Sequence, residues 1–115
     1  MRGDRMTKQA RTAEDLWALL DPRSTIEEII ARRAWLPLGF KTFTEAWLAR
    51  GFDRVTPPVE ARALIVYQML DDATDPLDIA CAIRGVGPEI ITSLVRQKAN
   101  GVPAHHASVR RRPIR

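Results

Sequence analysis

Five polar side chains between residues 89 and 97 are spaced to share the outer side of one predicted helix. They are Glu89, Thr92, Ser93, Arg96 and Gln97. The aliphatic residues between them recur at the spacing of a buried helical face, namely Ile90, Ile91, Leu94 and Val95. Hydroxyl, amide and guanidinium groups can hydrogen-bond with the base edges and phosphates of nucleic acids. The helix 88–99, which also carries Lys98, is therefore the predicted contact element for DNA.

Two helices and a tight glycine turn are predicted to position these side chains. Asp75 can cap the first helix, and Pro76 suits the first helical position, where no backbone donor is needed. The second helix begins in the same manner, with Gly87 before Pro88. The turn lies at residues 85–87, between the two helices.

One interpretation of this hairpin is a helix-turn-helix. In that motif a glycine at the turn is followed by a small apolar residue, and buried aliphatic residues about six and nine positions later hold the second helix. Gly85, Val86, Ile91 and Leu94 occupy those positions. The second helix would then meet the base edges in a DNA groove.

The alternative interpretation is a helix-hairpin-helix, which we rank second. Its Gly-Val-Gly turn leaves backbone N–H groups at a helix N-terminus, near Gly87, able to hold a phosphate. The position four residues after the second glycine is usually small in that motif, whereas here it is Ile91. Both interpretations lead to DNA, the first through its sequence and the second through its backbone.

Aromatic residues upstream of the hairpin form the pattern Trp-x-x-x-Gly-Phe-x-x-Phe-x-x-x-Trp over residues 35–47. This pattern precedes a longer helix and then the hairpin. The layout, over about residues 35–96, resembles small helix-turn-helix DNA-binding proteins of actinobacteria and their phages. The resemblance implies a helical regulator or an accessory DNA-binding protein rather than an enzyme.

Positive charge is concentrated at the C-terminal end. The chain has a formal net charge of +4, but residues 96–115 contain six basic and no acidic residues. Residues 1–95 contain 12 basic residues against all 14 acidic ones. The cluster that includes Arg110, Arg111 and Arg112 is expected to neutralise phosphates, which adds a salt-sensitive and sequence-independent contribution to DNA affinity.

The length of 115 residues fits one domain, and the helical periodicities place it in the all-α class. We expect a compact bundle of five to six short helices. Residues 1–10 are predicted to be a flexible arm, residues 11–101 a single DNA-binding domain, and residues 102–115 a flexible basic tail. Cys81, in an apolar helical segment, is predicted to be a small core residue.

The aromatic segment itself is predicted to pack in the core. Trp35, Phe43 and Trp47 lie at core spacing, with few basic residues among them. The rival hypothesis of another class is a helical protein-interaction module, such as a phage adaptor or an inhibitor of a host protein, with no role in nucleic-acid binding. That module would present an exposed patch formed by Trp35, Phe40 and Trp47.

No catalytic motif is recognisable, so we expect neither an enzyme nor a cofactor. Helix-hairpin-helix glycosylases place a catalytic aspartate after the hairpin, and the lack of any Asp or Glu after Glu89 argues against such an enzyme. His105 and His106 are adjacent and lack helical ligand spacing, so no metal site is expected. No apolar run is long enough for a membrane span, and a cytoplasmic protein is predicted. The expected partner is double-stranded DNA, bound by a homodimer or by several copies, because a single helix binds weakly.

Overall fold

The computed structural model describes residues 12–18 and 23–109, with the side chains of residues 23 and 24 excepted. Within these parts the chain forms six α-helices and no strand, which confirms the all-α prediction. We label them in chain order: α1 (Ala13–Ala18), α2 (Arg23–Arg32), α3 (Phe43–Ala49), α4 (Val59–Asp71), α5 (Pro76–Ala82) and α6 (Pro88–Ala99). Short 3-10 helices lie at Phe52–Arg54 and Ala104–His106. None of these helices is long and apolar enough to cross a membrane.

Local side-chain caps explain where several helices begin. The Thr42 hydroxyl accepts a hydrogen bond from the Glu45 backbone N–H at 3.1 Å and so caps the start of α3. Asp75 caps α5 by accepting from the N–H of Leu77 at 3.0 Å, with Pro76 at the first helical position. These caps satisfy backbone donors that the first turn of a helix leaves without partners.

A cluster of aromatic rings forms the centre of the core. Phe43 lies with its ring centroid 5.6 Å from that of Trp17, 5.8 Å from that of Trp35 and 5.6 Å from that of Trp47. The indole N–H of Trp47 donates to the carbonyl of Ala82 at 2.6 Å, which connects α3 to the end of α5. Core packing of the aromatic segment is therefore confirmed.

Helix α4 crosses the middle of the bundle and is buried on more than one side. Its buried residues are Ala61, Ala63, Ile65, Val66 and Met69. Tyr67 and Leu70 are half-buried and Val59 is exposed. This distribution arises because α4 packs against α2, α3, α5 and α6, so that no single apolar stripe describes its contacts.

The chain does not leave the core after α6. The hydroxyl of Tyr67 donates to the carbonyl of Val102 at 2.6 Å, and Ala107 and Val109 pack partly buried against the core. Residues 102–109 therefore differ from the expected flexible tail, because their apolar side chains and backbone carbonyls find partners on α4 and α6. The proposed N-terminal arm, residues 1–10, and Arg110, Arg111 and Arg112 lie outside the described residues.

Candidate nucleic-acid interface

Helices α5 and α6 are joined by the predicted glycine turn. Gly85 has a φ of +89°, a backbone conformation that side chains disfavour. A Cβ atom on Gly85 would also lie 3.1 Å from Thr56 Cγ2 and 3.2 Å from Arg62 Cζ. The neighbouring Val86 is buried. The turn therefore requires glycine at position 85 for two reasons, backbone conformation and close packing.

Arg62 connects this turn to the start of α4. Its Nε donates to the carbonyl of Pro57 at 3.0 Å, and its Nη1 lies 3.4 Å from the carbonyl oxygen of Gly85. This guanidinium is thus occupied by backbone carbonyls on two segments. It thereby holds the α5–α6 turn against the start of α4.

The outward face of α6 presents Thr92 and Arg96, as predicted from the periodicity. Ile91 and Leu94 are fully buried on the opposite side, while Thr92 and Arg96 are exposed. Thr92 Oγ1 donates to the carbonyl of Pro88 at 3.0 Å, which leaves its oxygen lone pairs available as acceptors. We call the surface formed by Pro88, Glu89, Thr92 and Arg96, all exposed, the outer face of α6.

Ser93 and Gln97 lie at the edge of this face and are engaged within the protein. The Gln97 amide Nε2 lies 3.1 Å from Ser93 Oγ and 3.1 Å from the carbonyl oxygen of Ser108. In return, the Ser108 N–H donates to Gln97 Oε1 at 3.0 Å. Gln97 and Ser93, which we predicted on the outward side, are half-buried, because the segment that follows α6 folds back along this edge.

Lys98 lies on the other side of α6 from Arg96. Two residues correspond to about 200° of helical rotation, so the two cations cannot share one face. Lys98 Nζ lies 2.7 Å from Asp71 Oδ1 and 5.8 Å from the centroid of the Tyr67 ring. Arg96 and Lys98 therefore do not share a face, and the carboxylate of Asp71 contacts α6 directly.

The N-terminus of α6 carries a negative charge of its own. Gly87 caps the helix without a side-chain hydrogen bond, and a Cβ placed on Gly87 would lie 3.2 Å from Glu89 Oε1. The Glu89 carboxylate is therefore folded back toward the first turn, where it interacts favourably with the helix dipole. A phosphate held by the N–H groups near Gly87 would meet this carboxylate, which disfavours the helix-hairpin-helix interpretation.

The hairpin of α5 and α6 has no net charge. Residues 75–99 contain three acidic and three basic residues. The described segments, 12–18 and 23–109, contain ten basic and twelve acidic residues. The excess positive charge of the chain therefore belongs to residues 1–11 and 110–115. Long-range attraction to a polyanion must originate mainly in these terminal segments.

The packing tests two expectations, the burial of Cys81 in the core and the exposed patch of Trp35, Phe40 and Trp47. Cys81 is exposed and not part of the core, because Ile79 and Ala82 are the residues of α5 that face inward. Trp35 and Trp47 are 5% and 1% exposed, and Phe40 is half-buried. The exposed aromatic patch required by the protein-interaction hypothesis is therefore not formed.

Sequence reasoning missed the contacts that Asp71 and Ser108 make with α6. Neither residue has a pattern that connects it to this helix, since the partner in each case comes from another segment. A weak signal was available in Ala107 and Val109, whose alternation with polar residues is typical of a segment with one packed side. Within the described part of the chain, no group of three or more His, Cys, Asp or Glu is arranged to hold a metal ion.

Comparisons of this chain with protein-family models, with curated proteins and with solved structures found no match. A functional proposal therefore depends on the chain's own residues and their arrangement.

Proposed function

We propose that this protein binds double-stranded DNA, with the outer face of α6 as the contact surface and the C-terminal arginines as phosphate contacts. The observation that carries the proposal is the joint exposure of Thr92 and Arg96 on a helix that follows a short helix and a glycine turn. An arginine and a hydroxyl one helical turn apart can contact a base edge and a neighbouring phosphate together. This is the helix-turn-helix mode of binding.

The charge distribution assigns different roles to the two parts. Because residues 75–99 have no net charge, α6 supplies little long-range attraction, and its contribution is hydrogen bonding at short range. Arg110, Arg111, Arg112 and Arg115 follow the last described residue and supply a net charge of +4. In this scheme the arginines supply most of the affinity for any duplex, and α6 supplies the preference among sequences.

A single recognition helix reads only a few base pairs, so we propose that a homodimer or several copies bind along one duplex. Regulation of transcription and organisation of DNA are both compatible with this mode of binding. A preference for one sequence over random duplex would favour regulation, whereas uniform affinity would favour organisation.

The direct test is fluorescence anisotropy with a random duplex and purified full-length protein at 50 mM and 200 mM salt. Binding is expected at the lower salt, with a marked loss of affinity at the higher. Neutralising four phosphate contacts gives a slope of log affinity against log salt of about −3.6. Absence of binding at 50 mM salt would contradict the proposal.

A matched pair of substitutions tests the contact surface. Arg96→Gln removes a positive charge from the outer face of α6, and Arg33→Gln removes the same charge from the exposed turn after α2. We expect Arg96→Gln to weaken binding about tenfold and Arg33→Gln to have little effect. Equal losses for the two variants would show that only overall charge matters and would remove α6 from the proposed interface.

A further inference from the structure

Three arginines from three different segments lie around the glycine turn between α5 and α6. Arg62 on α4 contacts the turn directly, since its Nη1 lies 3.4 Å from the carbonyl oxygen of Gly85. Arg84 is the residue before Gly85. Thr56 packs against the same glycine, and Arg54 comes two residues before Thr56, so the Cα atoms of Arg54 and Thr56 lie within about 7 Å of each other. We call Arg54, Arg62 and Arg84 the turn cluster.

The turn cluster is not neutralised by carboxylates. Among the described residues, three other cations are paired with carboxylates, namely Arg32, Arg50 and Lys98. No member of the turn cluster has an ion-pair partner in the same part of the chain. Arg54 and Arg84 are exposed to solvent. The cluster therefore gives the turn a local positive field, although the described residues as a whole carry a small net negative charge.

Arg62 is fixed in place and still has donors to offer. A guanidinium has five N–H groups. Contacts with the carbonyls of Pro57 and Gly85 use two of them, so three have no acceptor among the described residues. Because two backbone segments hold this half-buried side chain, it loses little freedom when a ligand binds. A planar fork held in one orientation is the arrangement with which arginine binds phosphate oxygens.

The two glycines of the turn have neighbours of opposite charge. A Cβ placed on Gly85 would lie 3.2 Å from Arg62 Cζ, whereas a Cβ placed on Gly87 would lie 3.2 Å from Glu89 Oε1. Glu89 therefore lies against the α6 side of the turn and Arg62 against the α4 side. An anion that approaches Gly85 from the α4 side meets the guanidinium and not the carboxylate.

Two further carboxylates are close to the cluster in sequence. Glu60 comes two residues before Arg62, which is about 200° around α4. It lines a cleft with residues 104–109 and so faces another part of the surface. Asp53 precedes Arg54 and is half-buried, so it offsets part of one positive charge. The cluster keeps a clear excess of positive charge after this offset.

We propose that the turn cluster binds the phosphate backbone of duplex DNA, with Arg62 as the fixed fork and Arg54 and Arg84 as exposed charges around it. This inference rests on the proposed function and adds phosphate contacts from the folded part of the chain. The turn directly precedes α6, so a strand held there lies beside the start of the proposed contact helix. Phosphate contacts of this kind fix the position of a protein on the duplex and do not depend on base sequence.

The test compares two double variants of the full-length protein. Arg54→Gln with Arg84→Gln removes two charges from the turn cluster. Arg33→Gln with Lys41→Gln is the matched control, since it removes two exposed charges from the segment between α2 and α3. All four positions are exposed, and urea denaturation checks that both variants fold.

Affinity for a random duplex is measured by anisotropy between about 50 and 200 mM salt. We expect the turn-cluster variant to weaken binding at least about tenfold and to reduce the slope of log affinity against log salt by about 1.8, because two phosphate contacts are lost. The control should change the slope by less than half as much. The slope of the natural chain should be steeper than about −3.6, because the cluster adds to the C-terminal arginines.

Arg62 is tested without substitution, because replacing it would also disturb the turn. In isotope-labelled natural protein, the NMR signal of the Arg62 Nε–H should shift when the random duplex is added. The same addition to the variant lacking the charges of Arg54 and Arg84 should give a much smaller shift at equal concentrations. Inorganic phosphate, added at the same concentration of phosphate groups, is the second arm and should leave the signal unchanged.

The outcomes separate this inference from the proposed function. If the natural chain binds duplex but the two double variants lose affinity equally, the turn cluster alone is overturned. An Arg62 signal that does not move at saturating duplex, or that moves only with inorganic phosphate, overturns it as well. A loss for the turn-cluster variant without any loss for Arg96→Gln supports the cluster and removes the outer face of α6 from the proposed function. Failure of the natural chain to bind any duplex overturns both.

Discussion

Lys98 Nζ lies 2.7 Å from Asp71 Oδ1, so one of the two cations of helix α6 already has a partner in the same chain. The two residues belong to different helices, and their contact lies at the C-terminal end of both. The ion pair reduces the positive field around α6. It also holds the Asp71 carboxylate against α6 on the side away from Arg96.

Replacing Asp71 by asparagine should change DNA affinity only as much as removing any one negative charge does. The substitution releases Lys98, but Lys98 lies on the side of α6 away from Arg96, so it cannot reach a duplex bound to the outer face. Asp53→Asn, on the 3-10 helix at Phe52–Arg54, removes the same charge away from α6 and is the control. We expect a gain of less than about twofold for both variants in anisotropy titrations at several salt concentrations. A severalfold gain for Asp71→Asn alone would place Lys98 in contact with DNA and would contradict the outer face of α6 as the contact surface.

Glu89 opposes DNA from the other end of the same helix. Glu89→Gln removes the carboxylate beside the first turn of α6, and we expect tighter binding to duplex DNA because phosphate no longer meets a like charge. The same change should lower the free energy of unfolding by roughly 0.3–1 kcal/mol, since a favourable interaction with the helix dipole is lost. Urea denaturation and anisotropy on one preparation test the two effects. Weaker DNA binding by a correctly folded variant would place Glu89 in a direct contact with DNA.

Gly85 should be far less tolerant of alanine than Gly39, although both have positive φ angles. Gly85 has a φ of +89° and Gly39 a φ of +93°, so the backbone strain on a side chain is similar. Only at Gly85 would the added Cβ also meet Thr56 and Arg62, at 3.1 and 3.2 Å. We expect losses of about 1 kcal/mol for Gly39→Ala and about 2–3 kcal/mol for Gly85→Ala, measured by urea denaturation. Equal losses would mean that the α5–α6 turn moves freely away from α4.

Tyr67 gives the stability of the fold a dependence on alkaline pH. Burial raises the pKa of its hydroxyl above the ordinary value of 10.0, and the nearby Lys98 partly opposes this effect. The folded state thus favours the neutral hydroxyl. The stability that this preference contributes is present below pH 10 and is lost as the pH rises through the raised pKa of Tyr67. Tyr67 is the only tyrosine in the chain, so ultraviolet absorbance titration reports this group alone. A midpoint at or below 10.0 in the folded protein would contradict this burial of the Tyr67 hydroxyl.

Much of the local architecture could be predicted from the sequence. The start of α3 at Thr42 and Glu45 and the start of α5 at Asp75 depend on residues within three positions of one another. The bounds of α6, its buried Ile91 and Leu94 and its exposed Thr92 and Arg96 follow from helical periodicity. Gly85 was recognisable as the turn because a left-handed backbone favours glycine.

The partners of the remaining side chains could not be predicted in this way. Periodicity indicates that a helix has an apolar side, but it does not say which segment covers each edge. Cys81 illustrates the limit, since it lies in an apolar segment and yet is exposed while Ala82 faces the core.

The sequence by itself determined the helices, the glycine turn and the concentration of positive charge at the C-terminal end, because caps, periodicity and charge are local properties of the chain. Only the tertiary structure decided that Asp71 neutralises Lys98 and that Gln97 binds Ser108. These contacts join segments 27 and 11 residues apart. Their geometry depends on how α4 and α6 pack on the shared core, and that packing is set by the whole chain at once.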